Sequence, residues 1–330
     1  MITKLYNYQM HNYQMYKKKS VQGDCGMMNR LKHKVYSGID SLPSGIADDT
    51  LIDGCVVLEG GAFRGIYGEG VLDAMMQHSI NLSCTIGVSA GALNGLNYVA
   101  GNIGRSVRTN LRYRHDSRYV GVKALKHNKG IIGFDFVLNQ LNKDDPLNSE
   151  RFFDEKRRFI AVATDCTTGR AHYFEKGKCS DIFKAVQASA SMPYISKMVD
   201  IDGIPYLDGG CSRKIAYEWV VKQGFKKIIV IRTRHADFRK PDKISRTALK
   251  FYKQYPDFAK ALSESDIEYN RECDELQKID REGRIIMISP SQPVTVGRIE
   301  KDVEKLGKLY YLGYNDAMNS MDDIKKYLGI

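Results

Sequence analysis

The sequence predicts an α/β protein built on a mainly parallel sheet. Cys55-Val56-Val57-Leu58 is a short apolar run followed by a glycine turn. Ile66 to His78 comes next, with Ile66, Val71, Leu72, Met75 and Met76 at helical spacing. The unit then repeats. Leu82-Ser83-Cys84-Thr85-Ile86 is β-prone, Gly87 to Gly91 is a turn, and Ala90 to Leu96 reads as a closely packed helix start. Two further strands are expected at Lys227–Thr233 and Arg284–Ser289. Strands that alternate with helices pair in parallel, because each helix carries the chain back across the sheet.

The first turn is Glu59-Gly60-Gly61-Ala62-Phe63-Arg64-Gly65. A glycine loop at a helix N-terminus presents backbone N–H groups, which suits a developing oxyanion or a phosphate. A dinucleotide site and a turn without ligand are the alternatives. Gly-x-Gly-x-x-Gly is not matched, because Ala62 holds the third position, and the next strand ends in Ser89 rather than an acidic residue. The second turn, Gly87-Val88-Ser89-Ala90-Gly91, has the form of a nucleophile elbow, which holds a serine oxygen out of the sheet at the positive end of a helix. Further on, Ile201 to Leu207 reads as a strand with a turn or a short hairpin. It ends in Asp208-Gly209-Gly210, which in isolation is an ordinary tight turn.

Taken together and in order, the glycine loop with Arg64, Gly-x-Ser-x-Gly and Asp-Gly-Gly resemble the patatin-like phospholipase family. Thr164-Asp165-Cys166-Thr167-Thr168-Gly169 and Ala188-Ser189-Ala190-Ser191-Met192-Pro193 add to the resemblance, which covers about residues 53 to 235. The bacterial branch with an Arg-Tyr insert, here Arg112-Tyr113-Arg114 and Arg118-Tyr119, is the most similar. The resemblance implies a three-layer α/β/α patatin-like fold and a Ser-Asp dyad. Ser89 would be the nucleophile and Asp208 the general base, with Gly60, Gly61 and Ala62 lending N–H groups to the oxyanion. Gly65, Gly87, Gly91, Gly209 and Gly210 would support the turns, and Arg64 would either bind a lipid phosphate or anchor the loop. One departure stands out. The family loop carries glycine where this chain has Ala62, and alanine takes a positive φ only at a cost.

The implied activity is that of a serine lipid acyl hydrolase of the phospholipase A or lysophospholipase type, working through an acyl-enzyme. Acyl transfer at the same site, or a catalytically weak lipid-binding or regulatory protein, are the alternatives. A Ser89–Asp208–His235 triad also has the chain order of an α/β-hydrolase, against the dyad of the resemblance. His78, His115, His127 and His172 lie at a helix end, among basic residues or in a strand.

The organisation expected is a basic N-terminal tail over 1–46, disordered or docked on the body, a catalytic domain over 47–237 and a mostly helical region over 238–330. Asn7-Tyr8-Gln9-Met10 recurs as Asn12-Tyr13-Gln14-Met15 in the tail. The last region is either a lid or the completion of the sheet, and the Ile285–Ile288 strand favours completion. Helix is expected over Pro241–Ile279 and Ile299–Leu328, with Tyr310, Tyr311 and Tyr314 in the core. The seven cysteines form no Cys-x-x-Cys and read as reduced thiols of a cytoplasmic protein. No Cys/His spacing suits a metal, and no cofactor is expected. No apolar run approaches the ~18 residues that span a bilayer. Lys17 to Lys19 precede no apolar core, so no secretory signal is read. Net charge is +11, and Arg105, Arg108, Arg112, Arg114 and Arg118 concentrate much of it. That cluster is either an attraction to anionic membrane surfaces or a set of arginines paired within the fold. The partner expected is a lipid or ester substrate, with no nucleic acid. The oligomeric state is not legible.

Overall fold

The protein is described by a computed structural model covering residues 34–121 and 132–330. The tail repeat, Lys17 to Lys19, Cys25 and His127 lie outside these residues. In chain order the main elements are β1 (Ile52–Leu58), α1 (Ile66–Gln77), β2 (Leu82–Val88), α2 (Ala90–Val99) and α3 (Arg105–Tyr113). Next come β3 (Arg158–Asp165), β4 (Ala171–Glu175), α4 (Ile182–Ser189), β5 (Val199–Ile201) and β6 (Ile204–Asp208). The remainder is α5 (Tyr217–Lys222), β7 (Ile228–Ile231), α6 (Arg246–Phe251), α7 (Pro256–Arg281), β8 (Ile286–Ile288), α8 (Val303–Asn319) and α9 (Met321–Leu328).

β8, β7, β1, β2 and β3 lie side by side and parallel, and β4, β6 and β5 add antiparallel pairs. Side chains alternate between the faces, as the period of a strand demands. Val56 and Leu58 pack with α1 and α8, and Cys55 and Val57 pack with α5 and α7. A helix layer therefore covers each face. Six cysteines of the described residues are free thiols, five of them buried.

Ile201 to Leu207 is a hairpin of β5 and β6. Its placement decides the site. β4 occupies one edge of β3 along Ile160–Thr164. β2 must take the other edge, where it pairs from Arg158 to Val162. β6 pairs with Ala163–Asp165 on that same edge, running the opposite way. β2 and β6 thus meet end to end. Val88 stands opposite Val162 and Asp208 opposite Ala163, so the residues after β2 and at the end of β6 converge.

β8 forms the sheet edge beside β7, so the C-terminal region completes the sheet. Its helix α8 crosses α1 at very close range. A Cβ on Gly70 would stand 2.1 Å from the carbonyl oxygen of Tyr310, and one on Gly313 2.0 Å from that of Tyr67. Tyr310 donates to Asp73 at 2.9 Å and Tyr67 to Asp316 at 3.0 Å across the same crossing. Tyr310 is fully buried, as its helical spacing suggested. Residues 34–46 pack on the body: Ser37 bonds Glu304, and Gly45–Ile46 pairs with Asn102–Ile103. The helix expected from Ile299 starts at Val303 instead, and a break at Tyr252–Tyr255 divides the one expected from Pro241. Asp302 caps α8 by accepting from Glu304 and Lys305, which leaves 298–301 as loop.

Gly313→Ala tests the crossing. Alanine favours a helix by about 1 kcal/mol over glycine, yet overpacking costs about 1–3 kcal/mol. We expect a lower urea midpoint; a higher one would mean the helices are not in backbone contact.

Candidate active site

Ser89 follows β2 directly and begins α2 with φ +56° and ψ −122°. A positive φ in a residue other than glycine stores roughly 1–3 kcal/mol of strain. Close packing enforces the turn. A Cβ on Gly87 would lie 2.3 Å from the Gly91 carbonyl oxygen, and one on Gly91 2.4 Å from that of Leu58. Ser89 Oγ donates to Asp208 Oδ2 at 2.7 Å, and Gly210 N–H donates to Asp208 Oδ1 at 2.8 Å. Burial raises the Asp208 carboxyl above its ordinary range, against the hydrogen bonds from Ser89 and Gly210, which lower it. A buried carboxylate is a better base than an exposed one.

The gap between the ends of β2 and β6 is bridged by a side chain. Ser89 N–H donates to Ser189 Oγ at 2.9 Å, and Ser189 donates onward to the Val162 carbonyl at 2.6 Å. Ser189 is fully buried at the end of α4. It supplies the ladder partner that neither strand can supply where both stop. Thr164 Oγ1 donates to the Asp208 carbonyl at 2.9 Å. The Ala-Ser…Pro and Thr-Asp-Cys blocks thereby acquire physical roles.

The glycine loop is oriented by its carbonyls. Thr233 Oγ1 donates to the Gly60 carbonyl at 3.0 Å, and Arg64 N–H donates to the Gly61 carbonyl at 3.2 Å. In a trans peptide the N–H points opposite to the C=O, so the N–H groups of Gly61 and Ala62 are turned the other way. No group among the described residues accepts from Gly60, Gly61 or Ala62 N–H. Ala62 itself has φ +51°. The alanine at the family's glycine position therefore adopts the strained conformation that its sequence made costly. Glu59 holds the loop's base, accepting from Thr233 N–H at 2.6 Å and Tyr269 OH at 2.8 Å beside the Arg232 guanidinium at 3.8 Å.

Arg64 N–H anchors the loop, while its buried side chain has no hydrogen bond or ion pair among the described residues. His235 Nδ1 accepts from Asp237 N–H at 3.4 Å and bonds neither Ser89 nor Asp208, so the triad is not assembled here. The arginine cluster is largely used inside the fold. Arg105 bonds Asn97 and Asn142, Arg108 pairs with Asp145 at 2.9 Å, and Arg118 pairs with Asp116 at 2.6 Å. Arg114 lies over the Phe63 ring at 4.3 Å and donates to the carbonyls of Ile299 and Glu300.

Ser89 sits where two cavities meet. One, of about 80 Å³, is mainly apolar, with Phe63, Leu93, Tyr119, Val120 and Val137 in its wall. The other, of about 430 Å³, carries Arg64, Lys214, Arg234, Lys240 and Asp266. Ala62, Met192, Arg298 and Ile299 line both. Among the described residues no cluster of His, Cys, Asp and Glu suits a metal ion, and no helix is long and apolar enough to cross a membrane.

The family model for patatin-like phospholipase matches residues 56–218. Over those residues the chain is similar to the patatin-like phospholipases. Residues 255–329 match a domain of unknown function, DUF6363. The uncharacterized protein YjjU of Escherichia coli (strain K12) is 30% identical over 183 residues, 54% of this chain and 51% of YjjU. The match therefore spans about half the length of that relative. VipD from Legionella pneumophila, a solved structure, aligns over 93% of this chain and 73% of its own with a TM-score of 0.45 and 15% identity.

Ser189→Ala removes the bridge and leaves the Ser89 N–H and the Val162 carbonyl without partners. A lost buried partner costs about 1–3 kcal/mol, so thermal stability should fall together with activity. Ala62→Gly relieves the positive φ, and its melting temperature should equal or exceed that of wild type, whereas Ala62→Val should lower it. Equal stability of all three proteins would show that the loop strain is absent.

Proposed function

We propose that this chain is a serine-dependent lipid carboxyl ester hydrolase using a Ser89–Asp208 dyad. The observation that carries the reading is the 2.7 Å hydrogen bond from Ser89 Oγ to a buried carboxylate, made from a strained elbow beside unpartnered loop N–H groups. Asp208 takes the Ser89 proton as Oγ attacks the ester carbonyl. The N–H groups of Gly60, Gly61 and Ala62 bind the oxyanion as it forms. Collapse expels the alcohol, which leaves with the proton held by Asp208, and an acyl-Ser89 ester remains. Water then repeats the sequence: Asp208 takes its proton, a second oxyanion forms, and the fatty acid departs as Ser89 regains its proton. The apolar cavity suits the acyl chain. The charged cavity suits the rest of the substrate.

Hydrolysis of a fluorogenic phospholipid and of short p-nitrophenyl esters tests the dyad. Ser89→Ala and Asp208→Asn should each lose about 10³-fold or more in kcat. His235→Ala should keep activity within a few-fold, since its ring bonds neither Ser89 nor Asp208. A comparable loss in all three folded variants would replace the dyad with a triad. The pH profile is a separate check. The base must be ionised to act, and burial raises Asp208, so kcat/KM should fall on acidification with a midpoint above the ordinary carboxylate value of about 4. A midpoint at or below that value would remove Asp208 as a buried base.

A further inference from the structure

The charged cavity holds more cations than its own carboxylates neutralise. Asp266 pairs with Lys240 at 2.5 Å and Lys214 at 3.6 Å. Glu59 is taken by Thr233, Tyr269 and Arg232. Asp208 is taken by Ser89 and Gly210. Arg64, Arg234 and Arg298 line the same cavity, and none of them has an ion pair among the described residues. Arg64 is only 7% exposed, with its Nε unpartnered. Arg234 gives one donor to the Val294 carbonyl at 3.2 Å and lies against the Phe238 ring at 4.4 Å. Arg298 makes no side-chain hydrogen bond among the described residues. Guanidinium groups gathered around a cavity whose three carboxylates, Glu59, Asp208 and Asp266, already have other partners are stabilised when an anion joins them, and their planar forks match a phosphate.

We propose that Arg298, with Arg64 and Arg234, forms a phosphate-binding site beside Ser89, and that supplying Arg298 is what the segment between β8 and α8 contributes to the reaction. The placement of Arg298 is built rather than incidental. Its carbonyl accepts from Phe63 N–H at 3.4 Å, which ties it to the glycine loop. Arg114, buried and stacked on Phe63, holds the next two carbonyls. The segment is thus pinned by its backbone, and the Arg298 side chain is left exposed at the junction of both cavities. Mutual repulsion adds to the effect of burial on Arg64. Burial, then the charges of Arg234 and Arg298, bring the Arg64 guanidinium down to about 10. The phosphate is that of a lipid substrate or a free phosphate ion, which share one chemistry. The lipid form of the proposal rests on the hydrolase reading, and the anion site does not.

The test compares lysophosphatidic acid with the monoacylglycerol of the same acyl chain, which lacks the phosphate. Arg298→Ala should lose about 10- to 100-fold in kcat/KM on the first relative to the second, mainly through KM. Arg298→Lys should recover part of the loss, and Lys301→Ala, an exposed neighbouring cation, should match wild type on both. Calorimetry with inorganic phosphate runs in parallel on Ser89→Ala, with and without Arg298→Ala. Saturable binding that Arg298→Ala weakens about 10-fold supports the site. If the protein binds phosphate but does not prefer lysophosphatidic acid, the site serves the free ion. If neither substrate turns over, the hydrolase reading fails and calorimetry alone decides the anion site. Equal losses of Arg298→Ala on both substrates, together with no phosphate binding that depends on Arg298, would overturn the proposal.

Discussion

A strand has two edges, and β3 uses one of them twice. Along Arg158–Val162 that edge carries β2, and along Ala163–Asp165 it carries β6 from the opposite direction. Two strands driven end to end along one edge bring their termini together, and those termini are Ser89 and Asp208. The hydrogen bond between them is therefore set by backbone register. What remains is a small gap in the ladder, and small groups fill it. Ser189 bridges Ser89 and Val162, and a Cβ on Gly209 would stand 2.3 Å from the Val162 carbonyl oxygen.

The same logic of fixed backbone governs the loop. N–H groups stabilise a developing charge best when they need not move to meet it. Here they are turned by bonds to their neighbouring carbonyls, from Thr233 and from the loop's own Arg64. Glu59 ties the base of the loop to Thr233, and through Tyr269 to α7. Strain at Ser89 and Ala62 is held by contacts that are themselves buried. The rigidity has a local cause in each case.

Much of this was legible in the sequence because glycine motifs act over short range. Gly87 and Gly91 announce a turn that must be tight, and Cys55–Leu58 with Ile66–His78 announces strand and helix. What was not legible lies in long-range partners. Nothing near Ser89 indicates that Ser189, a hundred residues later, accepts its N–H. Nothing in Glu59 names Thr233 or Tyr269. The Ile299–Leu328 stretch looked helical from end to end, yet the cap at Asp302 starts the helix late and frees the loop that meets Phe63. The arginine run after α2 showed its charge but not its partners, most of which lie on other elements.

The support of the glycine loop has a consequence for how the chain matures during synthesis. Residues 56–218 contain Ser89, Asp208 and the loop itself. The groups that orient the loop come afterwards: Thr233, then Tyr269, then the carbonyl of Arg298. One edge of β1 also waits, since β7 begins only at Ile228, whereas its other edge pairs with β2. A nascent chain that has passed Asp208 therefore holds Ser89 and Asp208 without the groups that fix the direction of the loop N–H groups. The loop's full set of supports is therefore in place only late in translation, once most of the chain has emerged.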